Sequence, residues 1–270
     1  MEPRLGAVSY LNTRPLTVAL ERDASPFQLT YAVPSVCAAQ LRSGQIDVGL
    51  IPVIEYARSA GSYLVVPDVA IGCRGEVLTV RLFYRGELSA IKRLALDRSS
   101  RTSVALLQVL LRERFGLAPQ LVDAAPDLGR MLQESDAALL IGDPVFKALG
   151  GEWQSLDLGQ AWFELTGLPF VFAFWAGRPD ALGPAQVARL VQARREGLPF
   201  VERIARSHSE AQGVPADLCR RYLTEYIRYD LDEPALEGLR TFFRLAHRHG
   251  QIDAVPDLQF YPIAASIGGR

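Results

Sequence analysis

Hydroxyls, an amide, a phenol and a guanidinium are packed into one short stretch near the start of the chain, Ser9-Tyr10-Leu11-Asn12-Thr13-Arg14-Pro15-Leu16. The stretch follows an apolar run, Arg4–Val8, where a strand would hand over to a helix. In open α/β sheets, ligands bind in the crevice outside the carboxyl ends of strands. A helix start adds unpaired N–H groups and a positive dipole end, which favour an anion. Ser9, Tyr10, Thr13 and Arg14 are therefore candidate ligand contacts, and Asn12 adds an amide of undefined purpose.

A second stretch has the same character. Leu94–Leu96 leads into Asp97-Arg98-Ser99-Ser100-Arg101-Thr102-Ser103 and then into the helical run Val104–Arg114. One N-cap would account for one hydroxyl, whereas here several crowd around Arg101. Ser100, Arg101, Thr102 and Ser103 form a candidate nest for a carboxylate or phosphate.

Three further segments offer polar groups with two readings each. In Ile141-Gly142-Asp143-Pro144, Asp143 either meets the ligand or caps a short helix, and Pro144 suits the cap. Thr79 ends a segment with two glycines, Gly72 and Gly75, that permit close backbone approach; it faces a cleft or is an ordinary strand residue. Glu55, after Val48–Leu50, either orients the first loop or answers a helix dipole. Trp162–Phe170 is aromatic-rich, mostly core, with one or two rings available for an apolar wall.

Several chemistries lack support. His208, His247 and His249 all fall in a helical tail, and the last two point to different helix faces, so no metal site is expected. G-x-S-x-G, G-x-x-x-x-G-K-[ST] and G-x-G-x-x-G are absent. Cys37, Cys73 and Cys219 are odd in number and far apart, as expected of reduced thiols.

The elements that must position these residues alternate. Expected strands are Arg4–Val8, Leu29–Ala32, Val48–Leu50, Val77–Tyr84, Arg93–Ala95, Gln120–Val122, Ala138–Ile141 and Pro169–Trp175. Expected helices are Pro15–Glu21, Ser35–Arg42, Pro52–Arg58, Thr102–Arg114 and Asp127–Gln133. Such alternation argues an α/β fold with much parallel sheet. After Arg178 three amphipathic helices follow, Pro184–Ser207, Pro215–Ile227 and Glu233–His249, with no strand between them. Chain crossings at Arg85-Gly86-Glu87 and Ala176–Pro179 divide the chain into a discontinuous lobe (1–85 plus 177–270) and a continuous one (86–176), with a cleft between.

The 270 residues, 49% of them hydrophobic and 22% charged, suffice for a sizeable core. A net charge of −1 gives no basic footprint for nucleic acid or an anionic membrane. No apolar run is long enough to span a bilayer and no signal peptide precedes Arg4, so a cytoplasmic location is expected.

The opening motif, with Ile51–Arg58, Ile141–Pro144 and Trp162–Phe170, closely resembles the chorismate dehydratase family of the futalosine route to menaquinone. The match runs in order along nearly the whole chain. The sister enzymes that make 1,4-dihydroxy-6-naphthoate open instead with a Ser-Pro-Cys-Pro-Asn-Asp type loop, absent here. The resemblance implies a two-lobed, periplasmic-binding-protein-like fold of type II. It implies a carbon-oxygen lyase that removes water from chorismate without metal or organic cofactor, giving 3-[(1-carboxyvinyl)oxy]benzoate. Thr79 and Glu76 depart from the family's Ser and Pro; Thr keeps the hydroxyl. Chorismate carries two carboxylates and the chain offers two anion loops, so one loop per carboxylate is expected. With no His–carboxylate pair in any loop, the substrate's enolpyruvyl carboxylate is the expected base and Asn12 the organising catalytic residue, with Asp143 or Glu55 as fallback. The rival from another class is a non-catalytic carboxylate sensor or receptor, which the fold alone does not exclude.

Overall fold

The structure is a computed structural model that describes residues 2–21, 25–59 and 61–263. Ten strands form two five-stranded sheets. The first contains β1 (Arg4–Val8), β2 (Gln28–Ala32), β3 (Val48–Pro52), β4 (Leu64–Cys73) and β10 (Phe170–Gly177) in the order β2-β1-β3-β10-β4. The second contains β5 (Val80–Tyr84), β6 (Arg93–Asp97), β7 (Gln120–Ala124), β8 (Ala137–Ile141) and β9 (Gln154–Asp157) in the order β7-β6-β8-β5-β9. Each sheet is three parallel strands extended by two through antiparallel pairing. The parallel centres β3 and β8 are buried along their whole length, as strands covered by helices on both faces must be.

The two chain crossings lie between β4 and β5 and between β9 and β10. Each comes one strand earlier than expected at Arg85 and Ala176. The strand Val80–Tyr84 pairs antiparallel with β8 and β9, and Phe170–Gly177 pairs antiparallel with β3 and β4. The turn at Arg85-Gly86 therefore stays beside the second sheet. Met1 and residues 264–270, at the ends of the expected first lobe, lie outside the described residues.

The tail forms helices Pro184–Gly197, Val201–Gln212, Ala216–Arg221 and Glu233–Arg248, with a π-helical turn at Tyr222–Tyr226. Its docking makes an aromatic core. Phe242 stands edge-on to Phe170 at 5.0 Å between ring centroids and to Trp162 at 6.2 Å. Trp162 and Phe170 also pack edge-on at 5.3 Å, and the Trp162 indole N–H is satisfied by the Pro169 carbonyl at 3.1 Å. Most rings of Trp162–Phe170 are thus core, as expected.

Candidate active site

The site grows from where β1, β6 and β8 end. After β1 the chain turns through Leu11–Thr13 into a short helix, Arg14–Thr17. After β6 it turns at Arg98–Arg101 into the helix Thr102–Phe115. These two starts face each other across a cavity lined by Tyr10, Asn12, Thr79, Ser100, Arg101, Thr102 and Ser103. Its apolar wall includes Ile71, Val77, Ile141, Phe172 and Ile227. Phe172, two residues beyond the aromatic-rich segment Trp162–Phe170, supplies a ring to this wall, and among the described residues no ring of that segment lines it.

The two sides touch at several places. The Ile54 N–H donates to Thr102 Oγ1 at 3.3 Å, and the Ser35 N–H donates to the Ser99 carbonyl at 3.2 Å. The Tyr10 and Ser99 hydroxyls lie 3.2 Å apart, and burial pushes the Tyr10 phenol up to about 12. The Tyr10 ring also lies against the backbone of Gly142. A Cβ at Gly142 would come within 2.6 Å of it, and the φ of +68° there favours glycine.

Asp143 meets neither expectation, ligand contact or cap of its own helix. Its carboxylate accepts the Leu11 N–H at 3.0 and 3.2 Å, so it serves the helix start on the other side. Burial raises its pKa and lowers that of nearby His208. Asp143 lines a second cavity, with Lys147 and Trp153, instead of the one around Asn12.

Arg14 is placed away from the cavity as well. Its guanidinium makes a two-pronged pair with Glu21 at 2.7 and 2.9 Å and a hydrogen bond to the Tyr31 hydroxyl at 3.0 Å. Thr13 is buried behind the turn, 3.5 Å from Asn12 Oδ1. Ser9 is exposed, its N–H donating to the Ala32 carbonyl. Glu55 pairs with Arg42 and Arg58 on the surface, remote from Asn12. Of the first-loop candidates only Tyr10 and Asn12 reach the cavity.

The second loop fares differently. Ser100, Arg101, Thr102 and Ser103 all line the cavity. No side chain caps the helix Thr102–Phe115 and none in its first turn is acidic, so its N–H groups remain open to an anion. Ser100 Oγ is buried without a hydrogen-bond partner among the described residues. The Asp97 Oδ1 accepts from the Ser99 N–H at 2.9 Å and hydroxyl at 2.7 Å, while its Oδ2 is buried without a hydrogen-bond partner among the described residues. Burial raises the Asp97 pKa.

Thr79 enters the cavity through a strained turn. Leu78 holds a φ of +70°, a conformation costly for a leucine and common at functional sites. Asp157 fixes it by accepting the Val77 and Leu78 N–H groups at 3.0 and 2.8 Å. Gly72, expected to let a ligand approach, has another cause: a Cβ there would meet the Phe170 carbonyl oxygen at 2.5 Å. Glu76, at the departure from the family pattern, pairs with Arg81.

Besides Ile227 in the wall, the tail supplies two hydroxyl-bearing residues behind Asn12 that were not singled out in the sequence. The Asn12 amide donates to the Tyr222 hydroxyl at 3.0 Å, which lies 2.7 Å from Thr79 Oγ1. The Tyr229 hydroxyl donates to the Asn12 carbonyl at 3.0 Å. Both rings are buried among apolar neighbours and read as core in sequence; only their place in the docked tail reveals the hydroxyls. Among the described residues no cluster of three or more metal-ligating side chains occurs, and no helix is long and apolar enough to cross a membrane.

Two mixed sheets joined by two crossings, with a cavity that sets polar loop residues against an apolar wall, define the periplasmic-binding-protein class of fold. Solved structures agree: a protein from Archaeoglobus fulgidus matches with a TM-score of 0.76 at 19% identity, covering 93% of this chain and 98% of its own. The periplasmic aliphatic sulphonate binding protein of Escherichia coli matches at 0.69 and 18%, covering 99% and 94%. The family model described as menaquinone biosynthesis matches residues 3–248, and the chain belongs to that family. A chorismate dehydratase of Thermus thermophilus is 36% identical over 256 residues, 88% of this chain and 93% of the relative. One from Campylobacter jejuni is 26% identical over 246 residues, 88% and 95% respectively.

Proposed function

We propose that this protein is a chorismate dehydratase, converting chorismate to 3-[(1-carboxyvinyl)oxy]benzoate in menaquinone biosynthesis. The observation that carries the mechanism is the chemistry of the cavity lining. Among the described residues it holds an amide, hydroxyls, a phenol and the Arg101 guanidinium, but no carboxylate or imidazole side chain. This lining has the groups to orient a dicarboxylate and, among the described residues, offers no general base of its own.

The elimination breaks the C–H bond at the ether-bearing ring carbon and the C–O bond of the neighbouring hydroxyl. The C–H electron pair becomes the third ring double bond, and hydroxide leaves to be protonated to water. Aromatisation makes this strongly downhill, so positioning and charge stabilisation suffice. The enolpyruvyl carboxylate reaches its own ring proton through a cyclic arrangement and acts as the base. A carboxylate paired with an arginine is a weaker base, so the ring carboxylate is the one assigned to Ser100, Arg101, Thr102 and Ser103. Asn12 and Thr79 orient the ring and its leaving hydroxyl, with Tyr10 closing the cavity. The lobes follow the sheets, about 2–73 with 170–263 against 80–157.

Purified protein incubated with chorismate should yield, by mass spectrometry, a product lighter by one water and absorbing as a substituted benzoate. Chorismate that binds yet is recovered unchanged would reject catalysis and leave a carboxylate-binding protein.

A further inference from the structure

The Tyr222 hydroxyl touches both Asn12 and Thr79 of the cavity lining, and it comes from a segment more than 140 residues away from either. Its ring is fully buried, edge-on to Phe146 at 5.2 Å between centroids. Packing alone would be served by phenylalanine there. The hydroxyl needs another reason.

The direction of the hydrogen bonds supplies one. An amide nitrogen only donates, so the Asn12–Tyr222 contact occupies the phenol oxygen as acceptor. The phenol has one proton left to give, and Thr79 Oγ1 stands 2.7 Å away to accept it. The Thr79 hydroxyl, its oxygen thus engaged, must turn its own proton elsewhere, and the cavity is what it lines. Taken in this direction, the chain runs from amide to phenol to hydroxyl to cavity. Burial raises the phenol pKa far above its ordinary value, so the middle link stays protonated.

We propose that Tyr222 is a positioning residue that, its oxygen occupied by the Asn12 amide, makes Thr79 a donor towards the leaving hydroxyl of the substrate, an assignment that rests on the dehydratase reading above. Without the phenol, Thr79 can present either its lone pairs or its proton, and a lone pair facing the departing oxygen opposes the reaction. Hydrogen bonds that strengthen as charge develops act on turnover more than on binding.

The test compares wild type, Tyr222→Phe, Thr79→Val and the double variant by initial rates of benzoate formation from chorismate, with thermal unfolding run alongside. Tyr222→Phe should lower kcat about tenfold with KM within about threefold, a split that a loss of fold would not produce. The double variant should be no slower than Thr79→Val within about twofold, because both changes cut one chain. Wild-type kcat in Tyr222→Phe, or losses that multiply in the double variant, would overturn the assignment. If Tyr222→Phe does not fold, 3-fluorotyrosine placed at 222 keeps ring and hydroxyl while making the phenol more acidic. A kcat changed by about twofold or more then supports the relay, and an unchanged kcat rejects it. Every comparison is a ratio to wild type. Failure of wild type itself to release product would sink the dehydratase reading, a different result from any of these.

Discussion

The two helix starts that face each other across the cavity look alike in sequence and are used differently. Both follow a strand, both are rich in hydroxyls and both carry an arginine. In the first, the arginine is held on the outside by Glu21 and Tyr31, and the Leu11 N–H already has a carboxylate from Asp143. In the second, Arg101 and the Ser100 hydroxyl line the cavity, and no side chain caps the helix. This contrast supports the proposed division of labour over a clamp with one carboxylate per loop. The second start is the one left open to an anion, and the first presents Asn12 to the cavity. A helix start is an anion site only while its N–H groups are unclaimed.

The largest effect that can break this contrast is expected at Asn12. Asn12→Ala removes the amide that lines the cavity and is linked to Tyr222. Loss of one well-placed donor at a developing charge typically costs about 100-fold or more in turnover. Steady-state kinetics should show that loss in kcat, with chorismate still bound. Full turnover in Asn12→Ala would return the first loop to a purely structural role.

The two arginines give the sharper test. Arg101→Leu removes the one cationic side chain that lines the cavity among the described residues, and a hydrogen bond to a charged group contributes about 1.5–3 kcal/mol. KM should rise about 10- to 100-fold. Arg14→Leu should move KM by less than about twofold. Its partly exposed pair with Glu21 should cost at most about 1 kcal/mol of stability in urea unfolding. The reverse result, a high KM from Arg14→Leu alone, would restore the symmetric clamp.

What could be read from residues alone follows the range of the interactions. The strand-to-helix junctions carry local signals, so the α/β class, the loops at Ser9–Arg14 and Asp97–Ser103, and the helical tail were legible. The long strand β4 was missed because Pro67-Asp68 interrupts its apolar run. Asp68 indeed holds a φ of +64°, in a strand whose pairing to β10 is irregular. The edge strand β9 is short, with too few residues to show a period. Which sheet Val80–Tyr84 and Phe170–Gly177 join depends on pairing across the molecule, and nothing in either run encodes it. The same limit applies to side chains. Arg14 gives no sign that Glu21 and Tyr31 will hold it, and Tyr222 shows the pattern of a core residue. Polar groups whose partners lie far along the chain become legible only when the tail docks.

The smallest effect is expected where the two regions meet, at Asp143. Asp143→Asn keeps an oxygen for the Leu11 N–H and removes the charge. If Asp143 were the general base, its loss would cost about 100-fold or more in turnover. The cavity lining instead leads us to expect kcat within about threefold of wild type. The pH dependence separates the two roles independently. Burial raises the Asp143 pKa in the fold, so the folded protein takes up a proton there more readily than the unfolded chain. The ionised form thus costs stability above that raised pKa, and the cost fades as pH falls towards the ordinary carboxylate value of about 4. The asparagine variant has no such cost. Urea unfolding of both proteins should show the variant gaining on wild type between about pH 4 and neutrality, with turnover little changed. Lost turnover with chorismate still bound would make Asp143 the base, and the anion bound at the second helix start would then need no basic carboxylate of its own.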